Sequence, residues 1–309
     1  MELSIKQVWQ LIRKSFEAFF ENNPFRHSAA IAYYTIFSMP GIAIIAVMVA
    51  GSFYEREAVR TELLNQVTLL MGSNSATQIE TLMNKAFFSA ESFVMKMVGV
   101  VTLLVSATTV FASLQQSVNT IWNIKPKPDK EILKFVTNRL LSLAMVASIG
   151  FLLLVSLMAD TMIAILKEAM SGILAGSSYY LVWIINVGIS LVLITLVFAL
   201  IFKVLPDAEV RWKHVWTGAI VTTALFITGK YLIGYYLSTS NLGDAYGAAG
   251  SLVALLAWVY YSVLIVLYGA QFTFTYNQLK GRSIRPNDGA VAVKVQEIEK
   301  GHESVTKIE

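Results

Sequence analysis

Residues 245–279, AYGAAGSLVALLAWVYYSVLIVLYGAQFTFTYNQL, run for 35 residues without an Asp, Glu, Lys or Arg. A helix needs about 20 mostly apolar residues to cross a hydrocarbon core roughly 30 Å thick, so this stretch can span a bilayer. Four more such runs lie upstream, at 28–54 (27 residues), 97–124 (28), 140–159 (20) and 169–202 (34). A sixth, 215–236, is broken only by Lys230. The pattern predicts an all-α, polytopic membrane protein. Its six transmembrane helices lie near 29–51, 93–114, 140–166, 179–203, 215–237 and 248–274, in a single membrane domain over 1–277. None reads as a cleavable signal peptide, because the first apolar run begins late and lacks a short charged leader.

The whole chain agrees with this reading. Its 309 residues are 56% hydrophobic and 14% charged, with a mean hydropathy of +0.61, whereas soluble domains carry about 25% charged residues. A net charge of +4 is too small to imply a nucleic-acid partner. There are no cysteines, which excludes disulfides, thiolate metal sites and thiol nucleophiles.

Orientation follows from the division of Lys and Arg between alternate connections. The N-terminal segment, the second and fourth connections and the C-terminal tail together hold eighteen, and the other connections four. The larger set marks the cytoplasmic side, so both termini are expected in the cytoplasm. An even number of spans requires the same.

Between the spans, residues 1–21 place Ile5, Val8, Trp9, Ile12, Phe16, Phe19 and Phe20 at helical spacing, with Lys6, Arg13, Lys14 and Glu17 off the stripe. This is an N-terminal interfacial helix, lying in the headgroup region or against the bundle. Asn22-Asn23-Pro24 ends it. The connection 55–92 carries two amphipathic stripes, Leu63/Val67/Leu70/Met71 and Ile79/Leu82/Met83/Ala86/Phe87, broken at Gly72-Ser73-Asn74-Ser75. An external helical hairpin is expected there, as a structural cap or a lid. Lys125-Pro126-Lys127-Pro128 forms a stiff basic turn, and Trp122 and Trp212 fall where interfacial aromatics are found. Residues 278–309 are polar and mixed in charge, which predicts a mobile cytoplasmic tail.

The chemistry-bearing residues are few. His27, His214 and His302 lie in separate segments, and no HExxH, GxSxG or GxxxxGK[ST] occurs. Neither a catalytic residue, a metal site nor a cofactor is therefore expected, and the chain does not read as an enzyme. Gly243–Gly250 lies between two spans and reads as close helix packing rather than a phosphate loop. Ionisable groups inside spans are costly and mark candidate sites. Lys230 lies about 22 Å along the fifth span, Asp160 about 30 Å along the third, and Lys96 about 6 Å below the outer boundary of the second. Lys96, Asp160 and Lys230 thus form a candidate substrate-binding set in the outer half, for an anionic group. The alternative is that the lysines snorkel and Asp160 is interfacial. Thr35, Ser38, Pro40 and Gly41 form a candidate helix break or gate, since proline removes a helical hydrogen bond near mid-membrane. The hydroxyls of Thr102, Ser106, Thr108, Thr109 and Ser113 either face a polar interior or bond neighbouring helices.

Several blocks then carry a resemblance. They are Ala29–Pro40 (AAIAYYTIFSMP), Leu114–Pro126 (LQQSVNTIWNIKP), Val204–Asp207 (VLPD), Ala245–Val253 (AYGAAGSLV) and Trp258–Tyr261 (WVYY). Together they resemble the YihY/BrkB family of bacterial inner-membrane proteins over about residues 10–277. The resemblance implies a multi-pass membrane protein in envelope maintenance, without an assigned activity. One departure is Gln271, where many relatives carry Glu, so a proton-coupled role for that carboxylate does not carry over. The family's older label, ribonuclease BN, implies metal-assisted RNA cleavage, for which this chain lacks the clustered His and carboxylate ligands. Two functions stay open: a transporter or flippase-like protein for an anionic or amphipathic envelope molecule, and a non-transporting membrane scaffold. Membrane lipids are the expected partners, and a homo-oligomer is compatible with either.

Overall fold

The computed structural model describes residues 5–71, 73–88, 93–127, 137, 139–148, 151–152, 155, 178–239, 249–281 and 284–293. Among the described residues the apolar runs are mostly helical. Helix α1 (Ile5–Glu21) ends at Asn23, whose left-handed backbone (φ 50°, ψ 50°) turns the chain before Pro24 opens α2 (Pro24–Ala50). Asparagine tolerates that conformation, and proline suits a first helical turn because its missing N–H is unbonded there anyway. Then come α3 (Arg56–Met71), α4 (Ser73–Phe88), α5 (Phe93–Ile121), the short apolar α6 (Arg139–Ser148), α7 (Ser178–Val204), α8 (Trp212–Thr239) and α9 (Gly250–Leu279).

Three of these are long and apolar enough to cross a membrane, over Val187–Val204, Trp212–Tyr236 and Leu252–Leu279. The two halves of α2, Pro24–Met39 and Gly41–Ala50, make a fourth if counted as one bent span. The proposed third span, 140–166, lies largely outside the described residues.

Helix α9 is the centre of the bundle. It packs on α1, α2, α5 and α8, while α7 packs on α8 and α2 on α5. Phe111, Val118, Phe202, Leu255 and Leu267 fill the core between them. Helices α3 and α4 pack on each other, tied by Arg60, which donates to Glu80 (3.0 Å) and Asn84 (2.8 Å). Their inner face buries Leu63, Ile79 and Met83 against Ala43, Ile44 and Ala46 of α2. Leu63 of the first sequence stripe and Ile79 and Met83 of the second thus meet the second half of α2.

The C-terminal segment differs from expectation. By sequence, 278–309 is a mobile tail, yet helix α9 continues to Leu279 and residues 284–293 fold back on two connections. Strand β1 (Ile124–Pro126) pairs antiparallel with β4 (Ala290–Ala292), and β2 (Ala208–Glu209) with β3 (Arg285–Pro286). Gly281, at φ +65°, makes the turn that starts the return. Lys127 Nζ donates to the Asp288 carbonyl at 2.8 Å, which fastens the basic turn to the same segment. Backbone pairing holds this polar stretch, so its lack of large apolar groups was a poor guide. Residues 294–309 lie outside the described set.

Trp122 also differs. Rather than sitting exposed at an interface, it is 2% exposed, and its indole Nε1–H donates to the Ala270 carbonyl of α9 at 3.0 Å. Buried indoles find a partner in this way. Trp122→Phe keeps most of the ring and drops the bond. It should cost about 1 kcal/mol, read as a small fall in the unfolding midpoint of the detergent-purified protein.

Candidate functional site

At one end of the bundle, the connection after α7 is pinned to α5 by side chains. Asp207 is buried, and its carboxylate accepts from Asn119 Nδ2 (2.9 Å) and Gln115 Nε2 (3.3 Å). The Asp207 N–H donates back to Asn119 Oδ1 at 2.9 Å. Gln115 and Asn119 are four apart on one helix, so both reach the same carboxylate. A second link joins the α1–α2 turn to α9: Asn22 donates to Gln271 Oε1 (3.1 Å), and Gln271 donates to Thr275 Oγ1 (3.2 Å). A third, between His27 Nδ1 and Ser117 Oγ (3.2 Å), joins α2 to α5.

That third contact sets a depth scale. From His27, α2 advances twelve residues to Met39, about 18 Å at 1.5 Å per residue. From Ser117, α5 runs back twelve residues to Val105, the same distance. The bend of α2 and the Val105 level of α5 therefore lie at about one depth. The bend is 56°, and its cause is local. Pro40 has no N–H to donate to the Ile36 carbonyl, and Gly41 follows it.

At the Val105 level the structure places an arginine. Arg139 Nη1 donates to Thr108 Oγ1, to the Val105 carbonyl (3.3 Å) and to Thr109 Oγ1 (3.4 Å). Thr108 and Thr109 also bond back to Val105 O, at 3.0 and 2.7 Å. Part of the hydroxyl row of α5 thus holds a half-buried guanidinium well along the helix. By sequence Arg139 counts with the inner connection, and its charge alone put it there. The signal that could have moved it was the Thr108-Thr109 pair facing it.

The sequence-derived residues fall as follows. Lys96 is on α5, with its side chain outside the described set, as is the whole of Asp160. Lys230 is half-buried on α8. Lys230 is on α8 and the bend on α2, two helices that both pack against α9. Thr35 Oγ1 donates to Ile31 O of its own helix at 2.7 Å. Ser38 is 1% exposed and Gly41 is buried, while the Pro40 side chain lies outside the described residues. Gly243–Gly250 is outside them up to residue 248. Among the described residues no group of three or more His, Cys, Asp or Glu could hold a metal ion.

A wide cleft opens at the end that carries Asp207. It has a volume of about 730 Å³ and is lined by Lys203, Glu209, Arg211, His214, Asn277 and Arg285, among others. Helix α7 contributes Lys203, the start of α8 His214, the end of α9 Asn277 and β3 Arg285. Nothing in the sequence reading singled this place out, because its parts come from two stretches far apart in the chain, 203–214 and 277–285.

Long apolar helices joined by buried polar links define a helical membrane protein. A family model described as Virulence factor BrkB matches residues 15–292, and the chain belongs to that family. The match runs beyond α9 and through β4, so it takes in the returning strands. Similar proteins are called UPF0761 membrane protein. One from Tolumonas auensis is 28% identical, over 71% of this chain and 73% of its own length. One from Alteromonas mediterranea is 26% identical, over 82% of this chain and 83% of its own. One from Stenotrophomonas maltophilia is 26% identical over 82% of this chain but only 58% of its own length, so the chain spans little more than half of that relative. No solved structure is a significant match.

Proposed function

We propose that this protein is a six-span bacterial inner-membrane transporter, flippase-like and without its own ATP hydrolysis, for an anionic or amphipathic envelope molecule. Both termini then face the cytoplasm, and the α3–α4 hairpin caps the outer mouth. The observation that carries the reading is the break in α2 at the depth where α5 holds Arg139. A broken span frees backbone groups beside a cavity or ligand, as in many transporters. An arginine at that level is costly unless it serves a ligand or a structural partner. Lys96, Asp160 and Lys230 are kept as an outer binding set, with Thr35, Ser38, Pro40 and Gly41 as the gate.

The test is reconstitution of the full chain in liposomes with a panel of labelled lipids and organic anions. Protein-dependent movement of at least one is expected. Arg139→Gln should slow it at least tenfold, equivalent to about 1.4 kcal/mol in the barrier, with Lys230→Ala as the probe of the outer set. If no substrate moves above the protein-free rate, the transport reading fails and the membrane scaffold takes its place.

A further inference from the structure

Three cations line the 730 Å³ cleft, Lys203, Arg211 and Arg285, against one carboxylate, Glu209. Their bonding state is unusual for such a cluster. Among the described residues, Lys203, Glu209, Arg211 and Arg285 take part in none of the ion pairs found, such as Arg13–Glu17, Arg60–Glu57 and Arg60–Glu80. Glu209 stands opposite Arg285 in the strand register, yet the two make no ion pair. Neither Arg211 nor Arg285 has a hydrogen bond from its guanidinium among the described residues, whereas Lys127 on the same end is tied to Asp288 O. Lys203 is positioned: its Nζ donates to Val210 O at 2.6 Å, which leaves two of its three donors for another partner.

The cleft also has a definite depth. Its residues sit where three apolar spans stop: Val187–Val204 ends beside Lys203, Trp212–Tyr236 begins after Arg211, and Leu252–Leu279 ends before Gly281. Trp212 and Trp216, 45% and 37% exposed on the first turns of α8, suit the water–lipid boundary. That is the level of lipid phosphates. Two unbonded guanidinium forks and a held ammonium match the oxygens of a phosphate group, and the volume lies within the usual range for a ligand site.

We infer that this cleft binds the phosphate group of an anionic amphiphile, with Arg211, Arg285 and Lys203 as its ligands and the acyl part lying in the bilayer beside α8. Free phosphate is the other source of the same chemistry. The site does not rest on the transport reading, because binding in detergent needs no movement across a membrane.

The test uses the full chain in a neutral detergent and phosphate-free buffer, titrated calorimetrically with a short-chain phosphatidylglycerol, with the matching neutral diacylglycerol and with inorganic phosphate. Phosphatidylglycerol should bind saturably and the diacylglycerol at least tenfold more weakly. Arg211→Gln with Arg285→Gln should weaken the phosphatidylglycerol affinity at least tenfold, and Arg26→Gln, an exposed control, should change it less than twofold. Glu209→Gln should tighten binding, which tests the same charge balance in the opposite direction and without loss of a cation. If inorganic phosphate binds as tightly as the lipid and with the same arginine dependence, the cleft takes free phosphate. If it competes only at far higher concentration, the cleft takes the lipid headgroup. Unchanged lipid affinity in the double arginine variant, or weaker binding in Glu209→Gln, overturns the assignment.

Discussion

Asp207→Ala should lower the unfolding free energy by about 3 kcal/mol, among the largest single effects expected in this chain. The carboxylate is the shared acceptor for Asn119 Nδ2 and Gln115 Nε2. Those two side chains are 6% and 2% exposed, so water cannot replace the lost oxygens without opening the bundle. A buried donor left without its acceptor costs about 1–3 kcal/mol, more than a mean hydrogen bond contributes. The same deletion loosens the α7–α8 connection, whose backbone also accepts from Asn287 N at Asp207 O (3.0 Å). Asp207→Asn keeps one oxygen and should lose less than half as much. Unfolding of detergent-purified variants, followed by tryptophan fluorescence, separates the two. Equal stability of Asp207→Ala and the parent would show that the links at this end carry no load.

Gly269→Val should destabilise by a similar amount, about 3 kcal/mol. Helices α8 and α9 carry the same short pattern, Gly218-x-x-x-Thr222 and Gly269-x-x-x-Thr273, and they meet reciprocally. A Cβ at Gly218 would overlap the Thr273 hydroxyl, and one at Gly269 would overlap the Thr222 hydroxyl and approach Phe202 Cζ at 3.0 Å. Each threonine bonds the glycine carbonyl of its own helix, Thr222 to Gly218 O at 2.8 Å and Thr273 to Gly269 O at 2.7 Å. The rotamers are therefore held, and the hydroxyls cannot simply swing away. In lipid, close approach through small residues is a main source of helix association. Replacing glycine by alanine gains about 0.5–1 kcal/mol in helix propensity and by β-branched valine less, which is too small to offset the clash. Gly269→Ala combined with Thr222→Ala should recover part of the loss seen in Gly269→Ala alone. Failure of that rescue would place the cost elsewhere than at this crossing.

The Gly-x-x-x-Thr pattern was present in the sequence but not separable from the many other small residues in the spans. What marked the pair was that each glycine faces the other helix's threonine, and facing is a property of the packed pair. The polar blocks around Gln115, Asn119 and Asp207 were similarly visible as a family pattern, while their mutual bonding, across 88 and 92 residues of chain, was not. The candidate outer set shows the opposite case. Lys230 could be picked out by composition alone, but composition does not say that its helix packs against α7 and α9.

By itself the sequence determined the class of protein, the places of the apolar helices α2, α7, α8 and α9, the end of α1 at Asn23 and the weak point at Pro40. These are local consequences: lipid selects on the apolar content of a single segment, and proline acts on its own turn. Only the tertiary structure decided that Trp122 is buried against α9, that Arg139 lies at the level of the α2 bend, and that residues 284–293 return to pair with two connections. It alone gathered Lys203, Arg211 and Arg285 around one cleft. Each of these depends on hydrogen bonds or charges brought together from segments far apart in the chain, and such contacts leave no periodicity in any one of them.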